Sequence, residues 1–567
     1  MNYDAVLQHI GEFGAYQRRI TVLLSLIAIP AGLHTGAMTF IAAIPEHHCR
    51  VPQTTSAGVN LTRPEALNLS VPMEVVEGTR RLSRCRRYDR PDQAGWLNRT
   101  TSTCTGGWEY DQSQYRSSIV TQYDLVCGRA WLRELAQSIF MAGVGLGGII
   151  FGVISDRVGR HVTLMTCLLL QLTFGVCAAF SPSLTTFAVL RFLVGAFCNG
   201  AYCAGLVMGM ESLGPSKRTA FGMLMCQMPA VGYLVLGLMA YFIRDWWLLQ
   251  LALSLPTLPL LMYWWFVSES PRWLIVAKKT DRARLVIERI AKENGVNFSQ
   301  ETFQKLNGCA EGQNDDGRTP PSSKSRKYSI VDLVRTPQMR KITLAMNLAW
   351  LIAVCVYYSL VLGTSQLIGD HYVNFVLGAC VEMVAICVAW LLMARFGGKR
   401  PFIGFMLVAG ASCLALAGVP HDSGIVTTTL AMVGRFGISI GFGTLMVFSA
   451  EVFPTVIRNM GVGQASMVSR LGGIVAPFVG LLGNAWRPLP FLVYGVLCCL
   501  AGVAVTVIPE TLGISLPNTP EDLERLVRSQ LTTAAPEFPD EAERSRAVPG
   551  VANSSATTTV YQMVSSV

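Results

Sequence analysis

Apolar residues come along this chain in long, nearly unbroken runs separated by short polar inserts. Twelve runs stand out, near 20–44, 135–155, 162–180, 186–210, 219–241, 247–267, 342–362, 373–393, 401–419, 425–448, 459–483 and 489–508. A helix of about 20 apolar residues spans the hydrocarbon core of a bilayer. The expected fold class is therefore an all-α membrane protein with twelve transmembrane helices. The first run follows a polar stretch ending in Gln17-Arg18-Arg19 and is too long for the apolar part of a signal peptide. It reads as the first span.

Composition agrees with the pattern. Of 567 residues, 51% are hydrophobic and 14% are charged, and the mean hydropathy is +0.41. A soluble chain carries roughly 25% charged residues. The net charge of +10 is concentrated in loops. On one side the short loops carry Arg157, Arg160, Lys217, Arg218, Arg395, Lys399, Arg400 and Arg458, and on the other little beyond Arg244, Asp370 and Arg487. The positive-inside rule places the first side in the cytoplasm, with both termini (1–19 and 509–567) and the segment 268–341. This distribution accounts for the charge without a nucleic-acid partner.

The segment 45–130 then lies outside. It holds Cys49, Cys85, Cys104 and Cys127, which implies two disulfides, with all three pairings open. It also holds glycosylation sequons at Asn60, Asn68 and Asn98. No cysteines have zinc-site spacing, and no Walker A or nucleophile-elbow motif is complete, so neither a metal site nor an enzyme is expected. The segment 268–341 divides the spans into six and six, with halves at 20–267 and 342–508. Arg191, Glu211 and Arg218 in the first half are echoed by Arg435, Glu451 and Arg458 in the second. The chain ends in Ser565-Ser566-Val567, a pattern that suits a PDZ groove.

Between the second and third runs stands Gly152-Val-Ile-Ser-Asp156-Arg157-Val158-Gly159-Arg160. This G-x-x-x-D-R-x-G-R pattern resembles the signature loop of the major facilitator superfamily. The resemblance implies two parallel six-helix halves, a site between them at mid-membrane and alternating access. It also implies that Asp156, Arg157 and Arg160, with Glu211/Arg218 and Glu451/Arg458, act as cytoplasmic gate pairs that favour the outward-open state.

Further stretches resemble the solute carrier 22 family of organic-ion transporters: Pro45-Glu-His-His-Cys49-Arg-Val-Pro, Arg244-Asp-Trp, Glu269-Ser-Pro-Arg-Trp-Leu274, Asp332-Leu-Val-Arg-Thr-Pro337 and Glu451-Val-Phe-Pro-Thr-Val-Ile-Arg-Asn-Met-Gly461. The likeness is greatest to the carnitine/organic cation branch. It implies a plasma-membrane carrier of small zwitterions or organic cations. An organic-anion (urate-like) carrier and a receptor that kept the fold are the alternatives.

Charges inside the membrane usually face a cavity, because lipid penalises them. Glu382 lies in the middle of the eighth run and Arg470 in the middle of the eleventh. A substrate ammonium at Glu382 and carboxylate at Arg470 would suit a zwitterion; the plainer expectation is that the two residues pair with each other. At the position of Arg470, related cation carriers carry Asp, while anion and carnitine-type carriers carry Arg. Trp350 and Tyr357, which match pocket positions in the family, and Phe442 offer aromatic faces to a quaternary ammonium. Gln464 is a further polar candidate. Carnitine-type relatives carry Asn in the first span where this chain has Pro30-Ala31-Gly32-Leu33-His34. Ala31 offers no amide oxygen, which counts against tight sodium coupling, and no cofactor is expected.

Overall fold

The computed structural model describes residues 3–51, 62–76, 79–89, 100–296, 331–363, 367, 369–420, 423–511 and 519–525. Asn60, Asn98 and Ser565-Ser566-Val567 lie outside these residues, while Asn68 is exposed. Twelve helices are long and apolar enough to cross a membrane. They are α1 (Ala15–Ile41), α2 (Cys127–Val158), α3 (Arg160–Ala179), α4 (Leu184–Ser212), α5 (Pro215–Phe242) and α6 (Trp246–Phe266) in the first half. In the second half they are α7 (Pro337–Gly363), α8 (His371–Phe396), α9 (Lys399–Ala417), α10 (Gly424–Val452), α11 (Arg458–Asn484) and α12 (Leu489–Thr506). Most run several residues past their apolar stretch. Once nucleated, a helix continues at about the same gain per residue until a Gly or Pro stops it, so its polar ends project beyond the bilayer.

Within a lipid phase helices associate by close packing, and small residues let backbones approach. Gly143 and Gly147 of α2 lie directly against the backbone of Phe192 and Ala196 in α4, and Gly195 returns the contact against Phe140. In the second half Gly472 of α11 meets the backbone of Leu351 in α7. No side chain fits at Gly147. Gly147→Leu is expected to abolish folded protein at the membrane, read as loss of the monodisperse peak in detergent, whereas Gly152→Ala, where the space is open, should leave it intact.

The N-terminal stretch does more than precede α1. Tyr3–Ile10 is a helix whose Val6, Leu7 and Ile10 share a core with Ile287, Ile290 and Ala291 of the helix Thr280–Glu293. Asn294 closes this joint: its Nδ2 donates to Ile10 O at 2.9 Å, and its Oδ1 accepts from Tyr16 N at 3.0 Å. Arg19 pairs with Glu293 at 2.8 Å. The start of the central segment is thus fastened to the first half.

On the opposite side, the loop after α1 forms three two-stranded sheets. His47–Cys49 pairs with Trp108–Tyr110, and Arg86–Tyr88 pairs with Thr101–Thr103. Disulfides join Cys49 to Cys104 and Cys85 to Cys127, which resolves the open pairing. The Trp246 indole at the start of α6 donates to Gln122 Oε1 at 2.8 Å, seating this loop on the first half.

The halves meet on this same side. Phe40 of α1 stacks on Tyr372 and meets Phe375 edge-on, with centroids 5.4 and 5.0 Å apart. Tyr233 of α5 packs on Phe375, and Tyr115 of the loop on Tyr372. Deeper contacts run to mid-membrane, where Ser138 donates to Ile474 O at 2.7 Å and Gln227 to Met383 O at 3.2 Å.

Candidate substrate site and gates

The signature loop is organised by a residue that spacing alone did not single out. Gly159 adopts φ +125°, which turns the chain sharply between α2 and α3. That turn exposes the first amides of α3, and the Glu269 carboxylate accepts from both Arg160 N (2.9 Å) and His161 N (3.1 Å). A carboxylate there meets the positive end of the helix dipole. The Trp273 indole donates to Asp156 O at 2.8 Å. Glu269 and Trp273 belong to the Glu-Ser-Pro-Arg-Trp-Leu hexapeptide, so two motifs far apart in sequence form one structure. Glu269→Ala is expected to uncap α3 and lower stability by about 1–2 kcal/mol, measured as a shift in thermal unfolding; Glu269→Gln, which keeps an acceptor, should lose less.

Arg160 is the centre of the charge set. It pairs with Asp156 at 2.8 Å and with Glu211 at 3.2 Å, and donates to Ser155 O at 2.9 Å. Glu211 therefore takes Arg160 as its partner, while Arg218 donates to the carbonyls of Met210 and Leu213. Arg157 is exposed. In the second half Glu451 accepts from the Thr511 hydroxyl at 2.9 Å, and Arg458 turns to Phe453 O and Thr455. The degenerate loop of that half works differently. Lys399 donates to the carbonyl of Thr506 at the end of α12 (2.9 Å) and to that of Ile508 just beyond it (2.5 Å). The expected pairing of Glu211 with Arg218 and of Glu451 with Arg458 is thus corrected. The Arg160 pairs lie within one half and are formed while the halves are joined on the cysteine-loop side, so they cannot by themselves clamp one half to the other.

Glu382 and Arg470 do not pair with each other either. Glu382 is 2% exposed and bonds Arg435 of α10 at 2.9 Å, and the Tyr357 hydroxyl donates to its other oxygen. A fully buried carboxylate keeps its charge only with such partners. Arg435, which the repeat pattern marked only as a positional echo, supplies the cation. Arg470 instead faces the other half: its side chain lies beside Gly145 of α2 and within electrostatic reach of Tyr202 and Cys203 of α4 and Tyr358 of α7. Among the described residues no carboxylate pairs with it. Tyr202 is the contribution of the first half that the sequence left unmarked.

The aromatic candidates form one group. Tyr357 stacks on Phe442 at 5.4 Å, Trp350 meets Phe442 edge-on at 6.0 Å, and Tyr358 lies edge-on to Tyr357 at 5.2 Å. The Trp350 indole is fixed by Ser449 Oγ at 2.8 Å. Gln464 keeps Oε1 buried without a donor. Arg470 and an aromatic wall thus stand at the seam between the halves, and Glu382 supports the wall from behind through Tyr357.

Comparison with known proteins identifies the fold and the family. The family described as sugar (and other) transporter matches residues 95–523. The chain is 39% identical over 92% of its length to an organic cation transporter protein of Drosophila melanogaster, covering 95% of that protein. It is 38% identical to solute carrier family 22 member 21 of Mus musculus and 36% identical to organic cation/carnitine transporter 2 of Homo sapiens. Each of these two comparisons covers 93% of this chain and 94% of the relative. Among solved structures, the inward-open xylose transporter XylE from E. coli aligns with a TM-score of 0.58 at 16% identity, over 90% of this chain and 99% of that one. The fold and the relatives are those of transporters and not of enzymes. The chain belongs to the sugar (and other) transporter family of the major facilitator superfamily, and within it to solute carrier family 22.

Proposed function

We propose that this protein moves small carboxylate-bearing organic zwitterions, carnitine-like compounds, across the plasma membrane by alternating access, with both termini cytoplasmic. The observation that carries the reading is Arg470. It is a guanidinium at mid-membrane between the halves, with no acid of the described protein to neutralise it. Such a charge is costly in the membrane, and a substrate carboxylate would relieve that cost. The cationic end of the substrate falls to the faces of Tyr357, Tyr358 and Phe442 rather than to Glu382, whose charge Arg435 already balances. Relatives named as organic cation/carnitine transporters support the zwitterion.

The test is uptake of labelled carnitine, tetraethylammonium and urate into cells expressing the protein, with sodium present or replaced by N-methylglucamine. Carnitine uptake above that of empty cells, unchanged without sodium, is expected; Ala31 supports the sodium independence. Urate uptake alone would establish the second reading, an organic-anion carrier. An Arg470 with no acidic partner among the described residues suits an organic anion as well as the carboxylate of a zwitterion.

A further inference from the structure

A cavity of about 1730 Å³ opens on the side of the cysteine-bearing loop. It is distinct from the site around Arg470. Its wall is apolar and comes from the second half, with Leu360, Met432, Phe491 and Tyr494. Its mouth is cationic. Six arginines and a single acid, Glu134, line it. Three of the arginines are already balanced: Arg133 by Glu134 at 2.7 Å, Arg84 by Glu46 at 3.7 Å and Arg435 by Glu382 at 2.9 Å. Among the described residues Arg86 and Arg129 have no acidic partner. The Cys85–Cys127 disulfide holds these two together, because Arg86 follows one of its cysteines and Arg129 stands two residues after the other. His47 at the same mouth adds no charge, since burial pushes its imidazole below the ordinary value.

A concave apolar wall with a few fixed polar groups at its rim is the usual form of a small-molecule site. Here the polar groups are guanidinium forks, which match carboxylate and sulfonate oxygens. We propose that this cavity binds an amphipathic organic anion, its head group on Arg86 and Arg129 and its apolar body against Leu360, Met432, Phe491 and Tyr494. Arg435 connects the cavity to the transport site. It lines the cavity and on its other side holds Glu382, the support of Tyr357. The apolar body seats against Met432, one turn before Arg435 on α10, and so bears on the residue that holds Glu382; occupancy lowers the transport rate without competing for the cargo site. This coupling, though not the binding itself, rests on the transport reading above.

The experiment is saturable binding of radiolabelled octanoate to the full-length protein in nanodiscs of neutral lipid. Losing two charge-assisted contacts, discounted for their exposure, R86Q/R129Q is expected to weaken binding about tenfold. Arg470→Ala should bind octanoate as the wild type does. Unchanged affinity in R86Q/R129Q, no saturable binding, or loss of binding in Arg470→Ala would each overturn the assignment. Displacement by added phosphatidylserine would give the cavity to a lipid head group and overturn the small-molecule ligand. In cells, octanoate should lower the maximal rate of carnitine uptake without raising KM. R86Q/R129Q should remove that inhibition while leaving uninhibited uptake unchanged; competitive inhibition that persists in this variant would refute the coupling. If carnitine is not transported at all, the transport reading fails, and the binding measurement still decides the site.

Discussion

Glu382→Ala is expected to destabilise the second half by about 3–5 kcal/mol, because it leaves the Arg435 guanidinium buried without its counter-charge. Arg435 is 1% exposed and Glu382 2%, so water cannot take the place of the lost partner. A loss of that size is a large share of the roughly 5–15 kcal/mol that holds a folded domain together. It would show as a lower melting temperature in detergent and as little protein at the cell surface. The diagnostic variant is the pair Glu382→Leu/Arg435→Leu. Removing both charges leaves no uncompensated ion, and replacing a buried pair by apolar groups is often neutral. Recovery of stability in the double variant, with Tyr357 left without its acceptor and transport still impaired, would separate the structural role of the pair from its support of the aromatic wall. A double variant as unstable as Glu382→Ala would show that the pair is not the source of the effect.

Arg470→Ala is expected to cut uptake of carboxylated substrates by about 10–100-fold while changing uptake of tetraethylammonium only a few-fold. The range follows from one charge-assisted contact of about 1.5–3 kcal/mol, at 1.4 kcal/mol for each factor of ten. Unlike Glu382, Arg470 has no acid among the described residues that its loss would strand, so surface protein should stay near the wild-type level. Arg470→Lys keeps the charge but loses the planar fork, and should fall between the two. Equal losses for carboxylated and simple quaternary substrates would remove Arg470 from substrate recognition and make it a packing residue against Gly145.

The contrast between these two residues marks where the sequence stops being sufficient. Both appear in the chain as lone charges in apolar runs, and nothing local distinguishes them. The structure separates them by what stands opposite. Glu382 finds Arg435 on the neighbouring helix α10, 53 residues away in sequence, and becomes a support. Arg470 finds tyrosines and a glycine and keeps its charge available. Glu269 makes the same point: in sequence it belongs to a hexapeptide after α6, but in space it caps α3 and fixes the signature loop. The disulfide pairing, open among three choices, also depended on which loop strands met.

What the sequence determined by itself was the twelve-span architecture, its division into two halves, the membrane class and the positions of the charged and cysteine residues. Hydropathy acts through contiguous residues, because each stretch of about 20 must satisfy its own backbone inside the bilayer. That constraint is written along the chain and can be read there. The tertiary structure decided which charge meets which, how α2 and α4 approach through Gly143 and Gly147, and where an arginine-rimmed cavity opens. Those outcomes depend on through-space contacts between helices far apart in sequence, and burial makes such contacts strong enough to choose one partner over another.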